Sequence, residues 1–114
     1  MLEVNLEFNK GILFARLNGD LVREQVIKIN RELLNFIINN QVRYLVYNLY
    51  NLNKIDASGI NAILNTKYVI SHNNGNICFC ETPDNLKKLF KKMRINMVTD
   101  ELCAINYMRD IYEI

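Results

Sequence analysis

An apolar run near the middle of the chain restricts the possible folds more than any other feature. From Arg43 to Tyr50 nearly every residue is apolar. A strand with one face in water alternates apolar and polar residues, whereas a strand covered on both faces, or buried in the centre of a sheet, is apolar almost throughout. The run therefore predicts a strand in the interior of a sheet.

The segments around this run alternate between strand-like and helix-like patterns. Residues 2–8 alternate with a period of two, and Ile12 to Leu17 follow after a turn, so the two predict a hairpin that Asn18-Gly19-Asp20 ends. Helical patterns cover residues 22–38, 60–72, 83–93 and about 100–112, and strand-like residues cover 76–81 and 97–98. The order β-β-α-β-α-β-α-β-α predicts right-handed crossovers and an α/β fold with a mixed, mostly parallel sheet of four or five strands.

Particular side chains are expected to begin the helices and to face the core. Thr82 precedes a proline at the first helical position and predicts the cap of the third helix. Thr99 or Asp100 is expected to cap the last helix. The core-facing side of the second helix is expected to consist of Ile60, Ile63, Leu64 and Tyr68.

The composition is that of a single globular domain. Half of the 114 residues are hydrophobic and 23% are charged, and a net charge of +2 is too small to favour direct binding to nucleic acid. The three cysteines are odd in number and lack metal-ligand spacing, so we expect buried thiols, no metal and a cytoplasmic location. The N-terminus lacks a signal-peptide pattern, and no run approaches the ~20 apolar residues of a membrane span, so we expect no membrane insertion.

The segment after the apolar strand places a hydroxyl at the start of a helix. A polar loop is expected at residues 51–54, and Ile55-Asp56-Ala57-Ser58-Gly59-Ile60 leads from it into the second helix. The first N–H groups of a helix have no acceptor within the helix, and the helix dipole is positive there. Ser58 can therefore carry a phosphate, with about −1.5 to −2 charges, at a lower cost than most surface positions. A second interpretation stays open, in which Asp56 or Ser58 only caps the helix and Gly59 relieves crowding.

No residue pattern favours an enzyme. His72 is the only histidine and is expected at the solvent-exposed end of the second helix, whereas Ser58 lies at its start. A rise of 1.5 Å per residue separates them by roughly 18 Å, which is too far for a Ser/His/acid triad. The chain also lacks GxxxxGK[ST] and GxGxxG, so we expect no cofactor of its own.

A basic cluster falls on the predicted third helix. Its members are Lys87, Lys88, Lys91, Lys92 and Arg94. Such a cluster is usually the solvated face of a helix, and the alternative is a contact surface for acidic partners. The sequence leaves both interpretations open.

Four segments, in the same order, resemble the STAS domain family in its anti-sigma factor antagonist type. Leu17-Asn18-Gly19-Asp20-Leu21 is similar to the family's G-[DE]-L turn, and Leu45-Val46-Tyr47-Asn48-Leu49 to its central strand. Ile55-Asp56-Ala57-Ser58-Gly59-Ile60 matches its D-[SA]-[ST]-G switch motif, and Asn85-Leu86-Lys87-Lys88-Leu89-Phe90 matches its helix-three signature. The resemblance covers essentially all of the chain. It implies one domain over residues 1–114, with helices mainly on one face of the sheet.

The resemblance also implies partner switching in bacterial transcription regulation. In this family the unphosphorylated antagonist binds an anti-sigma factor that is also a serine kinase, and this binding frees a sigma factor. The kinase uses its own ATP and magnesium to phosphorylate the switch serine, after which the antagonist dissociates and a phosphatase resets it. The implied partners are therefore an anti-sigma factor serine kinase and a phosphatase, and we expect a monomer or a weak dimer.

The resemblance assigns the switch to seven residues of this chain. Ser58 is the phosphorylation site. The switch-loop and partner-binding residues are Asp56, Ala57, Gly59, Ile60, Asp20 and Asn48. The chain departs from the family at Val22, where many members have an acidic residue, and at Asn48, where many have aspartate.

Two other functions are compatible with the same family resemblance. One is an accessory subunit that docks on the ATPase of a lipid-transport ABC system, where the Ser58 region is a contact surface and need not be modified. The other is a structural STAS component of a larger signalling scaffold. The exposed hydroxyl expected for Ser58 favours the antagonist, whereas the missing acid at Val22 counts against it.

Overall fold

A five-stranded sheet forms the centre of the protein, whose computed structural model describes the backbone of residues 1–112 and the side chains of residues 1–109. The strands are β1 (Leu2–Asn9), β2 (Ile12–Leu21), β3 (Tyr44–Ile55), β4 (Asn76–Cys80) and β5 (Asn96–Val98). They lie in the order β1-β2-β3-β4-β5; β1 pairs antiparallel with β2, and the other neighbours are parallel. The predicted mixed, mostly parallel sheet is confirmed.

Four helical segments connect or follow the strands. The first, α1 (residues 23–40), begins as a 3-10 turn at Arg23–Gln25, contains a π-helical stretch at Ile29–Leu34, and ends where Gln41 adopts a left-handed backbone. The others are α2 (Ala57–His72), α3 (a 3-10 turn at Asp84–Leu86 continued by Lys87–Lys91) and α4 (Glu101–Tyr112). Within residues 1–112, no helix combines the length and the apolar character needed to cross a bilayer.

The connections place three helices on one face of the sheet and the fourth on the other. Each parallel connection moves to the next strand in the same direction, and right-handed crossovers of that kind lie on one face. The helices α1, α2 and α3 accordingly pack on the larger core. On the opposite face, Ala104 and Met108 of α4 share a second cluster with Cys78 and Cys80. Cys103 is exposed, so the prediction of buried thiols is correct only for Cys78 and Cys80.

Strands β2 and β3 extend farther than their apolar patterns predict. The predictions that Asn18-Gly19-Asp20 ends β2 and that residues 51–54 form a loop are wrong, because these segments pair with each other in the sheet. The register shifts twice along this pairing, and such bulges break the period of two. Leu49 and Leu52 consequently both lie in the larger core although three positions separate them.

The core-facing side of α2 differs from its prediction. Ile63 is fully buried, but Leu64 and Tyr68 are exposed, so their predicted burial is wrong. Thr66 is buried instead; its hydroxyl lies 2.8 Å from that of Tyr47 and donates to the Ile63 carbonyl at 2.7 Å. A threonine can occupy this core position because its polar atom and that of Tyr47 satisfy each other.

The predicted caps of the last two helices have different outcomes. Asp100 caps α4, since its Oδ1 accepts the Cys103 N–H at 2.9 Å. The prediction that Thr82 caps α3 is wrong, because the residue before the first turn is Pro83 and, within residues 1–109, no side chain forms a capping hydrogen bond there. The hydroxyl of Thr82 is buried without a hydrogen-bond partner among residues 1–109.

Candidate functional site

Asp56 joins the end of β3 to the start of α2. Its backbone is extended, and its Oδ1 accepts the Gly59 N–H at 2.9 Å, which is the bond of a helix cap. Its Oδ2 accepts the Arg23 N–H at 3.0 Å, at the start of α1. The hydrogen bond from the Gly59 N–H and, to a smaller extent, that from the Arg23 N–H hold the pKa of this carboxyl below its ordinary value of 3.8. Asp56 therefore ties the first turns of α1 and α2 together as a carboxylate.

Ser58 lies in the first turn of α2, and the capping position is already filled. Because Asp56 forms the cap, the capping interpretation applies to Asp56 and does not account for the Ser58 hydroxyl. The Ser58 side chain is half-buried, and within residues 1–109 no hydrogen bond engages its hydroxyl. The 16-residue α2 directs the positive end of its dipole toward this turn. A phosphate on Ser58 would lie at that positive end of the dipole, while the Gly59 N–H of the turn stays bonded to Asp56.

Gly59 brings the first turn of α2 against the end of β2. The Leu21 carbonyl oxygen and the side chains of Leu21 and Ile55 lie so close that a β-carbon on residue 59 would overlap them. The same Leu21 carbonyl accepts the Asp56 N–H at 3.4 Å. Only glycine permits this approach, so Gly59 fixes where Ser58 lies relative to β2.

Ala57, Ile60 and Asp20 lie at the same edge of the sheet as Ser58. Ala57 is exposed, whereas Ile60 is half-buried and packs on the larger core. Asp20, near the end of β2, accepts a hydrogen bond from the Asn53 side chain at 3.0 Å. The ends of β2 and β3 and the start of α2 therefore bring together all the predicted switch residues except one.

Asn48 is the exception, because it lies in β3 on the face that α4 covers. It is only 9% exposed, and its amide donates to Glu81 at 2.9 Å and to Glu101 at 2.8 Å, while its Oδ1 accepts the Tyr50 N–H at 2.9 Å. Arg16 pairs with the same Glu101 carboxylate at 2.7 Å and lowers its pKa. Asn48 thus joins β3 to α4 and to the residue that follows β4, and its role in partner contact stays a prediction.

The sequence patterns miss Leu21 and Arg23, which position Asp56 through backbone atoms. Every residue other than proline offers a backbone N–H and a carbonyl, so no side-chain pattern singles out the ones that are used. The available signal is the place of Leu21 at the end of the family-like turn. Val22, between them, is half-buried and offers no side-chain cap to α1, in agreement with the absence of an acid there.

The profile of the STAS domain family matches residues 3–102, a span that includes β1 from its second residue, the other four strands and the candidate site. The chain belongs to the STAS domain family. The family resemblance predicted from the four sequence segments is therefore confirmed.

Known relatives of this STAS domain include regulators of sigma factors. The anti-sigma F factor antagonist of Paenibacillus polymyxa is 26% identical over 88 residues, which cover 77% of this chain and 75% of the relative. The anti-sigma factor antagonist SpoIIAA in its unphosphorylated form superposes with a TM-score of 0.78 at 22% identity, over 94% of this chain and 98% of that one. The phosphorylated form of the Bacillus cell fate determinant SpoIIAA gives 0.73 at 17% identity, over 94% and 99% of the chains. These structures share the fold of this STAS domain along nearly its whole length.

Proposed function

We propose that this STAS domain is an anti-sigma factor antagonist whose binding to its partner ends when Ser58 is phosphorylated. The unmodified protein binds an anti-sigma factor that is also a serine kinase, and this frees a sigma factor. The kinase brings its own ATP and magnesium, and a phosphatase restores the unmodified protein. The STAS domain is then a cytoplasmic protein ligand and kinase substrate, not an enzyme.

One observation carries this proposal: the Ser58 hydroxyl lies in the first turn of α2, and a different residue caps that helix. Because Asp56 already satisfies the Gly59 N–H, the serine is not needed for folding the turn. The similarity to the anti-sigma F factor antagonist of Paenibacillus polymyxa supports the same class of function. Asp20, Ala57 and Ile60, at the same edge of the sheet, are the residues we assign to partner contact.

In the free protein, the start of α2 stabilises a phosphate on Ser58. Phosphorylation adds about −1.5 to −2 charges, a change comparable with the whole net charge of +2. The chain has one other serine, Ser71, in the last turn of α2, where its hydroxyl donates to the Tyr68 carbonyl at 2.7 Å. The dipole is negative at that end, so a phosphate on Ser71 would be disfavoured. The two serines therefore offer a matched pair on one helix.

In the complex, the same phosphate acts against binding. A neutral hydroxyl that docks beside the nucleotide of the kinase becomes a dianion facing an anionic site. Like-charge contacts across an interface cost several kcal/mol, and each 1.4 kcal/mol changes the dissociation constant about tenfold. Stabilisation of the free phosphorylated form and repulsion in the complex thus act in the same direction.

The decisive experiment compares serine variants as baits and then as ligands. Four baits are used to retain proteins from lysate of the native host: wild type, Ser58→Ala, Ser58→Asp and Ser71→Asp. The retained ATPase is then purified, and its affinity for each bait is measured by calorimetric titration. We expect a serine kinase that binds wild type, Ser58→Ala and Ser71→Asp alike, and Ser58→Asp at least about tenfold more weakly. With ATP and magnesium, the kinase should add one phosphoryl group to wild type and to Ser71→Asp, and none to Ser58→Ala.

Other outcomes point to the alternative functions. A transporter ATPase retained equally by all four baits would place the protein with lipid-transport accessory subunits and make Ser58 a contact residue only. Equal binding of Ser58→Ala and Ser58→Asp to a serine kinase would contradict the switch. Transfer of phosphate to Ser58→Ala would assign the modification to another residue.

A further inference from the structure

A cavity of about 390 Å³ opens between the carboxyl ends of β4 and β5. After β4 the chain enters α3 on one face of the sheet, and after β5 it enters α4 on the opposite face. Connections that leave neighbouring parallel strands toward opposite faces open a crevice, and ligands of α/β sheets bind in such crevices. The volume lies within the range of small-molecule sites. The fold therefore provides a candidate ligand site on strands other than those that hold Ser58.

Two lysines give this cavity a positive lining. Lys87 and Lys91, one turn apart on α3, line it, whereas Lys88 of α3 and Lys92, which follows α3, do not. Lys87 also pairs with Asp84 at 2.9 Å, but the Asp84 side chain is 96% exposed, and such exposed pairs are weak. Both ammonium groups are therefore available to an anion in the cavity.

Two threonines add hydroxyl groups to the same lining. Thr82 follows β4 closely and Thr99 follows β5 directly. Among residues 1–109, the buried Oγ1 of Thr82 lacks a hydrogen-bond partner, which is rare for a buried polar atom in a native protein. Because a threonine side chain can occupy several staggered positions, a ligand in the cavity offers this hydroxyl the partner that the protein does not.

The remaining lining residues define what else the ligand carries. Among the described residues that line the cavity, Glu81 is the single acid, and its Oε2 accepts a hydrogen bond from Asn48 at 2.9 Å. It leaves the lining with an excess of one positive charge. Met97 and Val98 are half-buried and apolar, so they suit a carbon portion of a ligand.

We propose that this cavity binds a small phosphate monoester. Lys87 and Lys91 neutralise the phosphate, the Thr82 and Thr99 hydroxyls donate to its oxygens, and Met97 and Val98 contact its organic part. Lysine ammonium groups are common phosphate binders, and their bonds to phosphate oxygens are charge-assisted. This site is separate from the Ser58 switch and does not depend on the function proposed for it.

The test is a titration of the full ¹⁵N-labelled chain, followed by NMR, with glycerol 3-phosphate, inorganic phosphate and neutral glycerol at constant ionic strength. The variants are Lys87→Gln/Lys91→Gln and, as a matched control, Lys88→Gln/Lys92→Gln, which removes the same charge from α3 and the residue that follows it. We expect saturable amide shifts at residues 81–82, 87–91 and 97–99 with both phosphates and none with glycerol. The first double variant should bind glycerol 3-phosphate at least about tenfold more weakly, and the control within about twofold of wild type.

A Thr82→Val variant separates a ligand site from a merely structural feature. Removing an unpaired buried hydroxyl should leave the thermal midpoint of the free protein unchanged or raise it, while binding of glycerol 3-phosphate weakens. Equal losses in the two lysine double variants would reveal diffuse attraction to a basic helix and overturn the site. So would the absence of saturation with either phosphate at about 20 mM, or full binding by Thr82→Val.

Discussion

Gly59 packs against the backbone carbonyl of Leu21 so closely that residue 59 has no room for a β-carbon. The contact lies where β2 ends and α2 begins, and the same carbonyl accepts the Asp56 N–H at 3.4 Å. Residues 55–60 thereby acquire a fixed position relative to the end of β2, which lies more than thirty residues earlier in the chain. The location of Ser58 follows from this packing.

Gly59→Ala should destabilise the protein and displace the start of α2. The new methyl group meets a backbone atom, which cannot rotate away, so the expected loss is about 1–3 kcal/mol in the free energy of unfolding. Chemical denaturation measures it. Asn61→Ala, at an exposed position of the same helix, is the control and should stay within about 0.5 kcal/mol of wild type. Equal stability of Gly59→Ala and wild type would contradict the close approach.

Asp56→Asn should remove a pH-dependent part of the stability. Because the folded protein lowers the pKa of Asp56, the carboxylate stabilises the fold above its ordinary value of 3.8, and this contribution is lost as the pH falls through the lowered value. Asparagine can still accept the Gly59 N–H but keeps only one acceptor oxygen. At pH 7 the midpoint temperature of thermal unfolding should therefore be higher for wild type than for Asp56→Asn, and this difference should shrink below about pH 4. A difference in midpoint that is constant from pH 7 to pH 3 would assign the effect to something other than this ionisation.

Asn48→Asp should destabilise the protein even though many family members have aspartate there. The substitution places a third carboxylate within hydrogen-bond distance of Glu81 and Glu101 and removes two donated bonds. We expect a loss of about 1–3 kcal/mol in the free energy of unfolding at neutral pH. The control Asn51→Asp, exposed on the same strand, should change it by less than about 0.5 kcal/mol. If Asn48→Asp were as stable as that control, the network around Glu101 would not hold in solution.

The cysteines should differ sharply in their reaction with a thiol reagent. Cys103 is exposed, whereas Cys78 and Cys80 are buried, and burial raises the pKa of the Cys78 thiol to about 12 and that of Cys80 as well. At pH 8 the folded protein should release one equivalent of chromophore from Ellman's reagent rapidly, and the denatured protein three. Cys103→Ser should abolish the rapid phase. A rapid phase of two or more equivalents would mean that the face under α4 is open.

The order of the elements and the main features of the sheet could be predicted because they rest on local patterns. The apolar run of β3 and the alternation of β1 each require only neighbouring residues. The ends of β2 and β3 could not be predicted, because bulges shift the register there and Leu52 returns to the core out of phase with Leu49. Thr66 was missed for a related reason, since its burial depends on a hydroxyl partner from another element.

The residues of the site likewise fall into those that local sequence patterns can identify and those that only the fold brings together. Asp56, Ser58 and Gly59 are contiguous, so a capping pattern and a family motif could both point to them. The Arg16–Glu101 pair joins residues that are 85 positions apart in the sequence. The Arg23 N–H donates to Asp56, which is 33 positions away. No periodicity links such distant residues, and only the folded topology brings them together.

The unequal lengths of the strands have a consequence for the end of the sheet. Within the described chain, β3 pairs with β4 only from Tyr44 to Asn48, while its pairing with β2 continues to Ile55. Strand β2 pairs with β1 as far as Gly19, so only the last residues of β2 and β3 extend beyond every other strand. Gly59 packs on Leu21 and Ile55 at this point. The first turn of α2, and not a further strand, therefore completes this end of the sheet.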